Sequence, residues 1–168
     1  MPEESQSTVR VLFVCMGNIC RSPMAEGVLR QRTEGRAVDF DIEIDSAGTH
    51  GYHEGSPPDE RAQAAASRRG IDISSLAARR VAEEDFDRFD YILAMDADNL
   101  EFLLDYSGKD HREKIRLLLD YSPTRAGGDV PDPYYGGPTG FERVLDLIEE
   151  AVDRLLEDVV NAAARRGI

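Results

Sequence analysis

The sequence predicts a single-domain α/β fold, a doubly wound four-stranded parallel sheet with helices on both faces. Three observations carry this. Short apolar runs suited to strands alternate with segments of helical period along the whole chain, the order that a parallel sheet covered by crossover helices produces. The runs VRVLFV and FDYILAM are nearly continuous, as strands buried on both faces are. The chain has 168 residues, 41% hydrophobic and 32% charged, with no repeat and no low-complexity tract, which suits one core.

Each element follows from its pattern. VRVLFV (9–14) reads as the first strand, and a helix is expected from Pro23 to about Thr33. DFDIEID (39–45) alternates with period two, and SAGTHG after it reads as a turn. A second helix from about Pro58 to Arg69 stops at Gly70. FDYILAM (89–95) is the third strand, with a helix across Asp96 to Leu104, and IRLLL (115–119) is the fourth. Beyond the loop SPTRAGGDVPDPYYGGPTG, Phe141, Val144, Leu145, Ile148, Val152, Leu155, Leu156 and Val159 mark a long amphipathic helix, with Thr139 or Gly140 placed to cap it. Residues 1–8 read as a flexible acidic N-terminus, 9–163 as the domain and 164–168 as a C-terminal tail.

In such folds ligands bind outside the carboxyl ends of the strands, and VCMGNICRSPMAEG (14–27) lies there, between the first strand and its helix. Gly17 and Asn18 tolerate positive φ, so the loop can curl its N–H groups inward. Ser22-Pro23 supplies an N-cap and a proline suited to the first helical position. A curled loop feeding a helix N-terminus is an anion cradle, and the planar guanidinium of Arg21 can grip two phosphate oxygens at once. Cys15 sits at its base. Helix N-termini and nearby cations lower a thiol pKa from ~8.5 to ~3.5–7.5, so the field that binds phosphate also ionises a nucleophile. The Ser22 hydroxyl can donate to that thiolate as well as cap. The ATP-type loop is excluded, because GxxxxGK[ST] is absent and the stretch has no lysine.

Transfer of phosphate to sulfur expels an alkoxide or phenoxide that needs a proton, and hydrolysis of the thiophosphate then needs a base. One carboxyl can serve both steps. Asp132 precedes Pro133 in a glycine- and proline-rich loop, with Asp129 as its rival.

Composition sets the outer bounds. Net charge is −13 and Trp is absent, which argues against nucleic acid, since phosphate backbones reward clustered Lys and Arg. Any anionic ligand must be held by a local field that overcomes this global repulsion. MPEESQST lacks the basic start and apolar run of a signal peptide, and no stretch reaches the roughly 20 apolar residues of a membrane span, so a cytoplasmic protein without membrane insertion is expected. Two cysteines five residues apart make a poor structural staple. Without a supporting His cluster they also make a poor zinc site.

VCMGNICRSPMAEG and DPYYG (132–136), with DSAGT, PDERA, FDYILAMD and the final helix between and beyond them, resemble the low-molecular-weight protein tyrosine phosphatases from about Val9 to Val160. The resemblance implies a four-stranded parallel sheet, a phosphate-binding loop after the first strand, a cysteinyl-phosphate intermediate, and neither metal nor cofactor. It assigns Cys15 as nucleophile, Met16, Gly17, Asn18, Ile19, Cys20 and Arg21 as the phosphate-binding loop, and Arg21 as transition-state clamp. Ser22 becomes the thiolate's partner, and DPYYG selects Asp132 as the general acid. Tyr134 and Tyr135 beside the acid, with Tyr52 and Ile19, are the expected walls of a phosphotyrosine slot; His50 and His53 flank Tyr52, and His111 is expected on the surface. The implied partners are phosphotyrosine proteins and a cognate tyrosine kinase.

Cys20 matches the family's second cysteine, which forms a reversible disulfide guarding the nucleophile. Similar arsenate reductases relay oxidation to further downstream cysteines, and this chain has none; similar phosphoarginine phosphatases carry threonine at Ile19 and lack the tyrosine pair. A non-catalytic phosphate-binding module would require a missing catalytic part. One departure is Leu76, where the family usually places a histidine supporting the loop asparagine. Ser74 or Ser75 is expected to replace its hydrogen bond to Asn18, with altered loop rigidity.

Overall fold

The computed structural model describes residues 8–36, 38–134 and 138–167, and for Pro138 and Thr139 the backbone alone. Four strands, β1 (Thr8–Cys15), β2 (Asp41–Gly48), β3 (Tyr91–Ala94) and β4 (Ile115–Leu117), form one parallel sheet in the order β2-β1-β3-β4. The chain winds outward from β1 in both directions, which leaves the carboxyl end of β1 at the point where the strand order reverses.

The helices are α1 (Arg21–Glu34), α2 (Glu60–Ser67), α3 (Glu83–Arg88), α4 (Ala97–Ser107) and α5 (Pro138–Arg165). Alternation along β1 sends Val9, Val11, Phe13 and Cys15 to one face and Leu12 and Val14 to the other. The first set packs with Met24, Val28 and Leu29 of α1, Ala62, Ala65 and Ala66 of α2, and the apolar stripe of α5. The second meets Phe86 of α3, Phe89 just after that helix, and Leu103 of α4. The sheet is therefore covered on both sides, which is why its central strands read as unbroken apolar runs.

Several boundaries differ from expectation, each for a tertiary reason. SAGTHG is not wholly a turn: Ser46, Ala47 and Gly48 continue β2, because Phe13, Val14 and Cys15 pair with them. The last strand ends at Leu117, and Leu118–Tyr121 turn as a 3-10 helix whose Leu118 and Leu119 stay in the core. The second helix is shorter at both ends than Pro58–Arg69. The fourth extends past Leu104 to Ser107, with Asp96 as its N-cap accepting from Asn99 N at 2.8 Å. The long helix already includes Thr139 and Gly140, which are therefore not its cap, and it continues past residue 163 to Arg165. Thr8 belongs to β1, opposite Asp41. Helix α3 was not anticipated, since EEDFDR is one turn and a half around a single large apolar residue.

Candidate active site

β1 delivers Cys15 to the carboxyl edge of the sheet, and residues 16–20 form the bend from β1 into α1. The carbonyls of this bend are held from outside: Thr49 N donates to Cys15 O at 2.9 Å, His50 N to Met16 O at 3.0 Å, Asp59 N to Ile19 O at 2.8 Å and Met24 N to Cys20 O at 3.2 Å. In a planar trans peptide the N–H points opposite its carbonyl, so these bonds turn the N–H groups of residues 16, 17, 20 and 21 to the other side. That side is a cavity of about 140 Å³ lined by Cys15, Met16, Gly17, Ile19, Cys20, Arg21, His53, Asp132 and Tyr134.

Asn18 makes the bend possible. It carries the left-handed φ of 58°, whereas Gly17 needs no positive φ. Its amide faces away from the cavity lining, donating through Nδ2 to Ser22 Oγ at 2.8 Å and Ser46 Oγ at 3.0 Å, while Oδ1 accepts from Arg79 N at 3.0 Å. The expected substitution of Ser74 or Ser75 for a lost bond is therefore corrected. Ser74 is turned to Asp72, Ser75 is exposed, and Leu76 packs against the core. Gly48 lies beneath the bend; a Cβ there would stand 2.8 Å from Met16 O and 3.2 Å from Asn18 N, so backbone must approach backbone at this point.

Ser22 does not cap the helix. Helix α1 starts one residue earlier, at Arg21, with Cys20 at the N-cap position and no side-chain capping bond. Ser22 is fully buried, with Oγ 3.0 Å from Cys15 Sγ. Since Asn18 Nδ2 already donates to Ser22 Oγ, the serine's own proton is free to point at sulfur. Asn18 is held in turn by Ser46, whose Oγ donates to Glu26 Oε1 at 2.7 Å, and Arg30 closes the network on Glu26 Oε2 at 2.6 Å. Neither Ser46 nor Glu26 was anticipated. Glu26 stands inside the motif, but its role needs β2 beside α1.

Arg21 is 3% exposed, with its guanidinium at the cavity wall. Nη1 donates to Asp96 Oδ2 at 2.7 Å and to Val130 O at 3.1 Å, and Nη2 lies 3.7 Å from Asp132 Oδ2. Burial alone would weaken its hold on the proton, but the Cys15 charge and then the Asp96 bond more than offset this and raise its pKa. Asp96 was missed as a site residue. Its signal was available, a carboxylate directly after the β3 apolar run and hence at the same sheet edge as Cys15.

Asp132 faces the nucleophile's cavity, and its Oδ1 accepts from Tyr134 N at 3.0 Å. Its rival is committed elsewhere: Asp129 Oδ1 accepts from Ala97 N at 2.9 Å, at the start of α4. Tyr134 and Ile19 line the cavity, and Tyr135 lies outside the described residues. Tyr52 does not reach the cavity. It is 88% exposed, and its neighbour His53 lines the wall instead, its ring against Gly17. His50 stays exposed beside Tyr52, and His111 pairs with Asp87 at 3.1 Å.

Cys20 is free, as is Cys15, and both are buried at the cavity wall. Burial, and then the Asp59 carboxylate, push the Cys20 thiol far above its ordinary range. Cys20 is thus held as the neutral thiol.

The family model described as low molecular weight phosphotyrosine protein phosphatase matches residues 10–165. The chain is 45% identical over 151 residues to the low molecular weight protein-tyrosine-phosphatase YfkJ of Bacillus subtilis, covering 90% of this chain and 96% of that one. It is 46% identical over 154 residues to the low molecular weight phosphotyrosine protein phosphatase of Homo sapiens, with the same 90% and 96% coverage. The crystal structure of a protein tyrosine phosphatase from Entamoeba histolytica superposes with a TM-score of 0.87 at 42% identity, covering 92% of this chain and 98% of that one. With the bend, its cysteine and its arginine at the carboxyl edge of the same sheet, the chain belongs to the low molecular weight phosphotyrosine protein phosphatase family.

Proposed function

We propose that the chain hydrolyses phosphotyrosine monoesters in two steps through a cysteinyl-phosphate. The observation that carries this is one small cavity holding Cys15, Arg21 and Asp132, with Ser22 bonded to the sulfur from behind. In the first step the sulfur attacks phosphorus, the P–O bond to the aryl oxygen breaks, and Asp132 gives its proton to that oxygen. In the second, Asp132 takes a proton from water, whose oxygen displaces sulfur from phosphorus. The N–H groups of residues 16–21 and the Arg21 fork hold the three equatorial oxygens in both transition states. Asp96 aims the fork, leaving its second nitrogen for the substrate. Ser22 steadies the thiolate when it attacks and when it leaves.

Tyr134, Ile19 and His53 wall the entrance, which favours a planar aromatic leaving group over an aliphatic one. Tyrosine-phosphorylated proteins, including those of a cognate tyrosine kinase, are the substrates. Cys20 serves as a redox guard. Peroxide takes two electrons from the Cys15 sulfur, giving a sulfenic acid and water; the Cys20 thiol attacks that sulfur, forming S–S and expelling a second water, and a cellular dithiol reverses it. Two free thiols at the site fit a reducing cytoplasm. Among the described residues no helix is long and apolar enough to cross a membrane.

Hydrolysis of aryl phosphates tests the reading. Cys15→Ser is expected to abolish turnover, and Asp132→Ala to lower kcat/KM by ~10²–10⁴ for phenyl phosphate while sparing p-nitrophenyl phosphate, whose leaving group needs little proton assistance. Full activity in Cys15→Ser would remove the assignment.

A further inference from the structure

We propose that Arg61 is a positioning residue for the general acid, because its guanidinium ties the ring of Tyr134, and through it the Asp132 carboxyl, to the packed core. This inference rests on Asp132 as the acid.

Arg61 lies in the first turn of α2, just after the N-cap Asp59. Asp59 holds it on three sides. Oδ1 accepts from Arg61 N at 2.8 Å and from Nε at 3.1 Å, and Oδ2 accepts from Nη2 at 3.0 Å. Asp59 is itself pinned, since its own N–H donates to Ile19 O of the phosphate-binding bend at 2.8 Å. A forked ion pair of this kind fixes the plane of the guanidinium, which a single contact would not.

The plane so fixed meets two rings. Arg61 Cζ stands 4.9 Å from the centroid of Phe141 and 5.3 Å from that of Tyr134, both within cation–π range. Phe141 is 1% exposed in α5, whereas Tyr134 is 38% exposed on the loop that carries the acid. The arginine therefore joins a partly exposed ring to a core ring. Tyr134 passes the restraint on through its backbone, whose N–H donates to Asp132 Oδ1 at 3.0 Å. That bond occupies Oδ1, so the proton delivered to the leaving group is carried on Oδ2, which lies 3.7 Å from Arg21 Nη2. Arg61 is not among the residues that line the cavity. Its loss would remove this restraint on the Tyr134 ring, and a displacement of about 1 Å at a reacting group can cost up to about 100-fold.

The test compares kcat/KM for phenyl phosphate and p-nitrophenyl phosphate, with inorganic phosphate inhibition as a measure of the bend. Arg61→Gln is expected to lower kcat/KM about tenfold for phenyl phosphate and less than about threefold for p-nitrophenyl phosphate, with inhibition by phosphate unchanged. Arg61→Lys keeps the charge but not the fork, and should give an intermediate, equally selective loss. It decides the matter if the glutamine variant does not fold. Equal losses on both esters, or none, while Asp132→Ala discriminates between them, would overturn the role of Arg61 and leave the acid in place. An Asp132→Ala variant that affects both esters alike would remove the acid and this inference with it.

Discussion

At the scale of single residues the site is two buried sulfurs with different neighbours at one cavity. Cys15 has Ser22 Oγ at 3.0 Å, a donor ready for negative charge, while burial and Asp59 keep Cys20 protonated. The proposed roles give Cys15 the attack on phosphorus and Cys20 the closing of a bridge to an oxidised Cys15. After mild peroxide treatment, mass spectrometry of the protein should show a Cys15–Cys20 bridge that dithiothreitol reverses with recovery of activity. In Cys20→Ser the same treatment should carry Cys15 on to irreversible sulfinic acid. Sulfinic Cys15 in the wild-type protein without a bridge would end the guard role. Cys15 and Arg21 were legible because the loop motif is local, whereas the residues left Asp132 and Asp129 open and only the resemblance selected Asp132. Asp96 had a signal, its place directly after the β3 run, that went unused, and His53 was read only as a neighbour of Tyr52; that His53 and not Tyr52 lines the cavity is decided only once the loop after β2 comes alongside the bend.

At the scale of elements, the bend after β1 owes its shape to what packs beneath and behind it. Helix α1 lies so close to the segment Ile71–Ile73 that a Cβ on Gly27 would stand 2.7 Å from Ile71 Cγ2 and 2.6 Å from Ile73 Cγ2. Helix propensity alone favours alanine over glycine by about 1 kcal/mol. Overpacking against two stiff β-branched chains costs typically about 1–3 kcal/mol, so the clash prevails. Gly27→Ala is therefore expected to lower urea-unfolding stability by about 1 kcal/mol with an unchanged m-value; a more stable variant would show that α1 is free to move. The same contact explains why the α1 pattern is less amphipathic than that of α5. Sheet, α2, α5 and the 71–73 segment enclose it, and nine consecutive residues from Arg21 to Leu29 are buried.

Across the whole molecule, Glu26 couples the site to global stability. It joins α1 to β2 through Ser46, and its partner Arg30 reaches Ile44 O at 2.7 Å. Burial raises its pKa above the ordinary 4.5, against the Ser46 and Arg30 bonds that lower it. A carboxyl raised in the folded state contributes fully below the unfolded value, and that contribution is lost as pH climbs through the folded one. Glu26→Gln, whose amide oxygen still accepts from Ser46, should gain on the wild-type protein in unfolding free energy as pH rises from about 4.5 towards neutrality. A difference independent of pH would show that the carboxyl titrates normally. The sequence by itself determined the fold class, the four strands and the longer helices, and it singled out Cys15 and Arg21 as candidates, because apolar period and a contiguous loop motif are properties of neighbours along the chain. Only the tertiary structure decided where β2 ends, that Ser22 serves the sulfur and not the helix, that Asp96 aims Arg21, and that His53 stands where Tyr52 was expected. Those outcomes depend on side chains distant in sequence competing for the same few ångströms, and no local pattern encodes which of them arrives.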